Sequence, residues 1–175
     1  YAGGALGAEN NFTKGSLEGE VYHSLHKRLI LHLRGSLLTG DSFGDTPELP
    51  LHERFYLGGA NSIRGFRNFT VSPRDPLGTE TFTGGNKAYY VQNEILVPLM
   101  EQMRMRGVAF FDLGNVEDER KQLNELFSDS PRMGAGVGIR FHSPIGAIRL
   151  EWGFNLDPRE GERKQVLHFT AGATF

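Results

Sequence analysis

The chain has 175 residues, with 19 Lys and Arg against 21 Asp and Glu. That is enough for one ordinary domain, and too evenly charged to favour nucleic acid or an anionic surface. It contains no cysteine, which removes disulfides and thiolate metal sites, and no apolar run approaches the roughly eighteen residues of a membrane helix.

Period two dominates the elements in chain order. Residues 1–8 read as the end of a strand. In 12–25, Leu17, Val21 and Leu25 oppose Lys14, Ser16, Glu18, Glu20 and Ser24. In 28–37, Leu29, Leu31, Leu33 and Leu37 oppose His32, Arg34 and Ser36. In 88–99, Tyr89, Val91, Ile95, Val97 and Leu99 oppose Tyr90, Gln92 and Glu94. In 103–113, Met103, Met105, Ala109, Phe111 and Leu113 oppose Arg104, Arg106 and Asp112. Residues 117–127 could form a short amphipathic helix with Leu123, Leu126 and Phe127 on one side, or simply an ordered loop. In 132–142, Met133, Ala135, Val137, Ile139 and Phe141 oppose Arg132, three glycines, Arg140 and His142. In 145–155, Ile148, Leu150, Trp152 and Phe154 oppose Arg149, Glu151 and Asn155. The last segment, 166–175, sets Leu167, Phe169, Ala171, Ala173 and Phe175 against His168, Thr170 and Thr174. Eight strands and almost no helix predict an all-β, antiparallel protein.

Alternation alone also suits a soluble sandwich or lipocalin. Connection lengths favour another class. The turns at 24–28, 98–102 and 142–146 are short, whereas 39–87, 114–131 and 155–164 are long. Strict short-long alternation of strands about ten residues long is the pattern of a transmembrane β-barrel, with long loops outside. Phe175, an aromatic residue ending a strand, would then sit in the interfacial girdle. On this reading Leu31, Val137, Leu150 and Phe169 face lipid, and Arg34, Arg140, Arg149 and Glu151 line a wet interior.

The long connection 39–87 holds the segment "FYLGGANSIRGFRNF" (55–69), rich in aromatic rings and glycine. Exposed loops seldom carry so much apolar mass unless they pack against something. "GGANSIRGF" resembles the signature loop of the outer-membrane assembly and translocation barrels, the bacterial surface antigen family. "VQNEILVPL" (91–99), "VAFFDLGNV" (108–116), the hairpin 134–158 and "LHFTAGATF" (167–175) resemble that family's later strands in the same order. The resemblance covers residues 12–175, and the last hairpin and Phe175 are most similar to its barrel-assembly factors.

The resemblance implies a barrel of about sixteen strands, of which this chain supplies the C-terminal eight, with the signature loop folded back into the lumen. Arg64 in a lumen would be costly unless paired. Glu94 and Asp112 share the inward parity of their strands, and the resemblance makes them, with Phe110, the lumen partners of Arg64. A planar guanidinium suits bidentate contact with a carboxylate. Gly58, Gly59 and Gly65 would permit tight turns beside Ser62 and Ile63, and Phe66 would pack on the wall. Size agrees, because a closed eight-stranded barrel holds only its own side chains. An isolated half-barrel would leave two unpaired edges in lipid, so further strands must come from the rest of a longer chain or a second copy.

No catalytic constellation stands out. The six histidines lack metal-ligand spacing, "GGANSIRG" lacks the strand-then-helix context of a phosphate cradle, and no basic patch suits nucleic acid. No cofactor is expected, and no enzyme activity. The chain starts at Tyr1, so it is expected to be processed or part of something larger, and the family's periplasmic polypeptide-transport repeats lie outside it. Two functions remain open. One is an assembly factor of the bacterial outer membrane, which inserts unfolded β-barrel clients through a seam at the closing strand, with periplasmic or lipoprotein accessory subunits as partners. The other is a polypeptide-secreting pore. For the seam, the residues singled out are Phe169, Gly172 and Phe175, because Gly172 weakens the strand locally.

Overall fold

The computed structural model describes residues 10–75, 81–100, 102, 104–118, 129–143 and 146–172. They contain seven strands: β1 (Phe12–His26), β2 (Leu29–Ser42), β3 (Lys87–Met100), β4 (Met105–Glu117), β5 (Arg132–Ser143), β6 (Gly146–Asn155) and β7 (Gln165–Gly172). The strands form one antiparallel sheet in chain order. The expected strand at 1–8, residues 119–128 of the possible helix, Met103 and Phe175 lie outside the described residues. Glu117, where that helix would begin, ends β4 instead.

The alternation fixes the faces. Leu31, Ile95, Ala109, Val137, Trp152 and Leu167 stand opposite one another from β2 to β7, forming one apolar row across six strands. Val97, Gly107, Ile139, Leu150 and Phe169 form a second row below it. Most of these side chains are exposed, Val137 by 56% and Leu167 by 62%, and Leu31, Ile139 and Leu150 are half-buried, while Glu94, Asp112 and Glu151 on the other face are buried. A water-soluble sheet would bury the first set and expose the second. The inverted arrangement is that of a sheet whose convex face meets lipid. Among the described residues no helix is long and apolar enough to cross a membrane, and the crossing elements are strands.

The short connections β1–β2, β3–β4 and β5–β6 join one end of the sheet, and the long connections join the other. The long connection is slightly shorter than the alternation suggests, because Thr39, Gly40 and Asp41 continue the ladder against Gly15, Lys14 and Thr13. It therefore runs over 43–86. Apolar alternation ends at the membrane boundary, but hydrogen bonding does not.

That connection returns across the concave face. Leu57, Ile63, Phe66 and Val71 of the loop pack with Ala88 and Tyr90 of β3 and Val116 of β4. The loop thereby makes a small apolar core inside the sheet. Among the described residues β1 and β7 each pair on one side only.

Candidate functional site

The loop tip is built by a tight, side-chain-capped turn. Gly58, Gly59 and Gly65 have φ of 99°, 102° and 95°, a region that other residues rarely enter. The Ser62 hydroxyl accepts the Gly58 N–H at 2.9 Å, and the Ile63 carbonyl accepts that of Gly59 at 3.1 Å. Ile63 and Phe66 anchor the turn in the apolar core, both nearly inaccessible. Arg64, which lies with Gly65 between them, then projects at the wall of strands.

Arg64 is completely buried. Its Nε and Nη2 donate to the two oxygens of Asp112 on β4 at 2.6 Å each, and its backbone N–H adds a third bond to the same carboxylate at 2.9 Å. Nη1 donates to Glu94 on β3 at 2.5 Å and to Glu151 on β6 at 3.2 Å. The Phe110 ring lies beneath the guanidinium at 3.7 Å. Burial alone would weaken the Arg64 charge. The hydrogen bonds and charge of Asp112, with the charges of Glu151 and Glu94, outweigh burial and raise its pKa above the ordinary arginine value.

Three acids around one arginine would leave excess negative charge, which two wall arginines offset. Arg140 on β5 donates to Glu94 at 2.6 and 2.9 Å and to Glu151 at 2.5 and 2.9 Å. Arg149 on β6 meets Glu151 at 2.8 Å and also donates to the Ala60 carbonyl at 2.7 Å. Three guanidinium groups thus face three carboxylates, in a network that satisfies buried charge instead of expelling it. It extends outward through His32 on β2, which lies 2.9 Å from Glu94 and 2.8 Å from Glu20 on β1. On the other side, the Gly65 N–H donates to Nε2 of His168 on β7 at 3.2 Å.

The wall has a slot for the loop backbone. A Cβ on Gly134 of β5 would stand 1.8 Å from the Arg64 carbonyl oxygen, and one on Gly153 of β6 would stand 2.4 Å from the Gly65 nitrogen. Gly65 itself lies against the Phe154 backbone, where its own Cβ would stand at 2.7 Å. Only a wall without side chains at these two points admits the tip.

Arg64, Glu94, Asp112 and Phe110 are therefore in contact, and Gly58, Gly59, Ser62, Ile63, Gly65 and Phe66 form the turn that presents Arg64. Phe169 and Gly172 lie apart from this cluster. Phe169 is 68% exposed on the outer face, and Gly172 pairs with Ala147 near the far end of β7. The convergence of Glu151, Arg140 and Arg149 on Arg64, and the Gly134–Gly153 slot, were not deduced from sequence. The available signal was the set of glycines on the polar face of 132–142, where a wet interior would have tolerated side chains. Among the described residues no cluster of His, Cys, Asp or Glu is arranged to hold a metal ion.

The model of the Omp85 superfamily domain matches residues 1–175. Outer membrane protein assembly factor BamA of Nitratidesulfovibrio vulgaris is 34% identical over 179 residues, covering 100% of this chain and 22% of that protein. BamA of Neisseria meningitidis serogroup B is 27% identical over 180 residues, covering 88% of this chain and 23% of that protein. The chain thus spans about a fifth of the length of the curated relatives it matches. In fold it is similar to the crystal structure of BamA from Haemophilus ducreyi lacking POTRA domains 1–3, with a TM-score of 0.77 and 20% identity over 94% of this chain and 36% of that one. The chain belongs to the Omp85 superfamily, as a segment of an outer-membrane β-barrel.

Proposed function

We propose that this segment forms the C-terminal part of the barrel of an outer-membrane protein assembly factor, which inserts β-barrel clients through a seam at β7. The observation that carries the reading is the contrast between two parts of one sheet. Strands β3 to β6 are held by a buried ionic network centred on Arg64. The last described strand, β7 (Gln165–Gly172), supplies none of the carboxylates or guanidinium groups of that network. A strand outside the ionic network beside a rigid wall is suited to parting from its neighbour and offering backbone donors and acceptors to an incoming strand, which is β-augmentation. The similarity to proteins named as assembly factors supports the same reading.

The seam works through backbone pairing, and no side chain performs chemistry. The remaining strands of a barrel of about sixteen come from the rest of a longer chain or a second copy, and periplasmic repeats outside these 175 residues receive clients. The partners are the lipid bilayer, unfolded barrel clients and periplasmic or lipoprotein accessory subunits. These 175 residues contain no cysteine to compete with an engineered disulfide. Thr170→Cys, paired with a cysteine on the strand facing β7 in the full-length barrel, should abolish client insertion when oxidised and restore it on reduction. Full insertion by the oxidised form would overturn the seam and favour a polypeptide-conducting lumen.

A further inference from the structure

We infer that His168 is the positioning residue that couples the seam strand to the docked loop. This deepens the seam reading above and rests on it. The acids that hold Arg64 lie on β3, β4 and β6, so none of them reaches β7. Among the described residues, a hydrogen bond that does is the Gly65 N–H donated to His168 Nε2 at 3.2 Å. A groove of about 860 Å³ also lies between the loop and β7, lined by Asn61, Arg67, Asn68, Val166 and Thr170 among others. The bond is well placed to transmit a displacement. The tip is fixed by Arg64 one residue away, and Gly65 is held against the β6 backbone.

The bond also has a polarity. To accept from an N–H, Nε2 must carry a lone pair, so the proton sits on Nδ1. A doubly protonated ring has two donors and no acceptor, and would set N–H against N–H. The charged groups around the ring are Glu151, directly opposite on β6, Arg149 on the same strand, and Arg64 from the loop. No described strand packs on the other edge of β7. Charging the ring in acid should therefore uncouple β7 from the loop, and a non-titrating acceptor at position 168 separates that step from protonation of the cluster's carboxylates.

The test uses the full-length protein in lipid nanodiscs, with spin labels at Arg67→Cys in the loop and Leu167→Cys on the outer face of β7. The parent should give a narrow distance distribution at pH 8 that broadens at pH 5.5. His168→Gln, whose amide oxygen accepts the same N–H without titrating, should stay narrow at both. His168→Phe, which keeps the ring and loses the acceptor, should be broad at both. A His168→Phe distribution as narrow as the parent's at pH 8 would overturn the coupling, and so would acid broadening that survives in His168→Gln. If broadening follows His168 while client insertion is unchanged, the coupling stands and the seam reading fails.

Discussion

Arg64 and Asp112 meet through three hydrogen bonds, two from the guanidinium fork and one from the Arg64 backbone N–H. The backbone bond means that Asp112 reads the position of the loop as well as its charge. Removing either partner leaves buried, uncompensated charge, which costs about 3–5 kcal/mol. Arg64→Ala should therefore lower the thermal stability of the folded barrel by that order, measured by heat-modifiability on gels. Arg64→Lys should recover little, because an ammonium cannot reproduce the fork. The Arg64→Ala, Asp112→Ala double variant should lose less than the sum of the singles. Strict additivity would show that the two do not act together.

The slot predicts a sharper effect from smaller changes. Gly134→Ala and Gly153→Ala place a methyl group on the loop backbone, so the loop should undock while the strands still pair. Limited proteolysis within 43–86 should accelerate for both. Gly172→Ala, whose added methyl meets nothing within 4 Å, should leave cleavage unchanged. Equal cleavage of all three variants would count against the slot.

Opposite faces should respond differently to the same charge. Leu150→Arg puts a guanidinium on the lipid face, at a cost of roughly 2–4 kcal/mol near the bilayer midplane. Insertion into liposomes should fall. Glu151→Arg changes the adjacent residue but points inward, where it would place a fourth guanidinium among Arg64, Arg140 and Arg149. That variant should insert better than Leu150→Arg yet fail to dock its loop. Equal insertion of the two would contradict the assigned faces.

Outside the membrane, Glu162 gives a pH dependence. Burial pushes its pKa up, but the Arg159 N–H, the Arg132 charge and bonds from Asn155 and Arg132 outweigh it and hold the carboxyl below its ordinary 4.5. A group depressed on folding stabilises above its unfolded pKa and loses that contribution as pH falls through the folded value. Segment 156–164 should thus become protease-sensitive below about pH 4.5, and Glu162→Gln should be sensitive already at neutral pH. A flat profile for the parent would remove Glu162 from this role.

At the proposed seam, Gly172→Val adds β-branching at a position where a Cβ meets nothing within 4 Å. Stiffening of an edge strand is worth up to about 1 kcal/mol. The variant should be slightly more heat-resistant and slower to insert clients in a reconstituted assay. A faster variant would argue against a yielding edge.

Much of this architecture was legible because membrane strands alternate strictly. Once Ile95 and Phe111 face lipid, Glu94 and Asp112 must face inward, and parity needs no contact information. Parity gives a direction but no partner. Glu151 lies 87 residues from Arg64 in sequence, and nothing local to "RLEW" distinguishes an acid that meets a loop from one that meets water. The slot was hidden for a related reason. Glycine on a polar face is compatible with solvent, and only the folded loop shows that Gly134 and Gly153 are empty because backbone fills the space.

The tip also keeps a kind of time. Its bonds join residues 30, 48, 87 and 103 positions apart, ending at His168. Contacts so distant in sequence close late, because each spans a larger loop than the one before. A chain interrupted after β4 could seat Arg64 on Glu94 and Asp112, but Arg140, Glu151 and His168 would be missing, and the acids would lack their offsetting charge. Full seating therefore requires β5, β6 and β7 as well as the two strands that follow the loop.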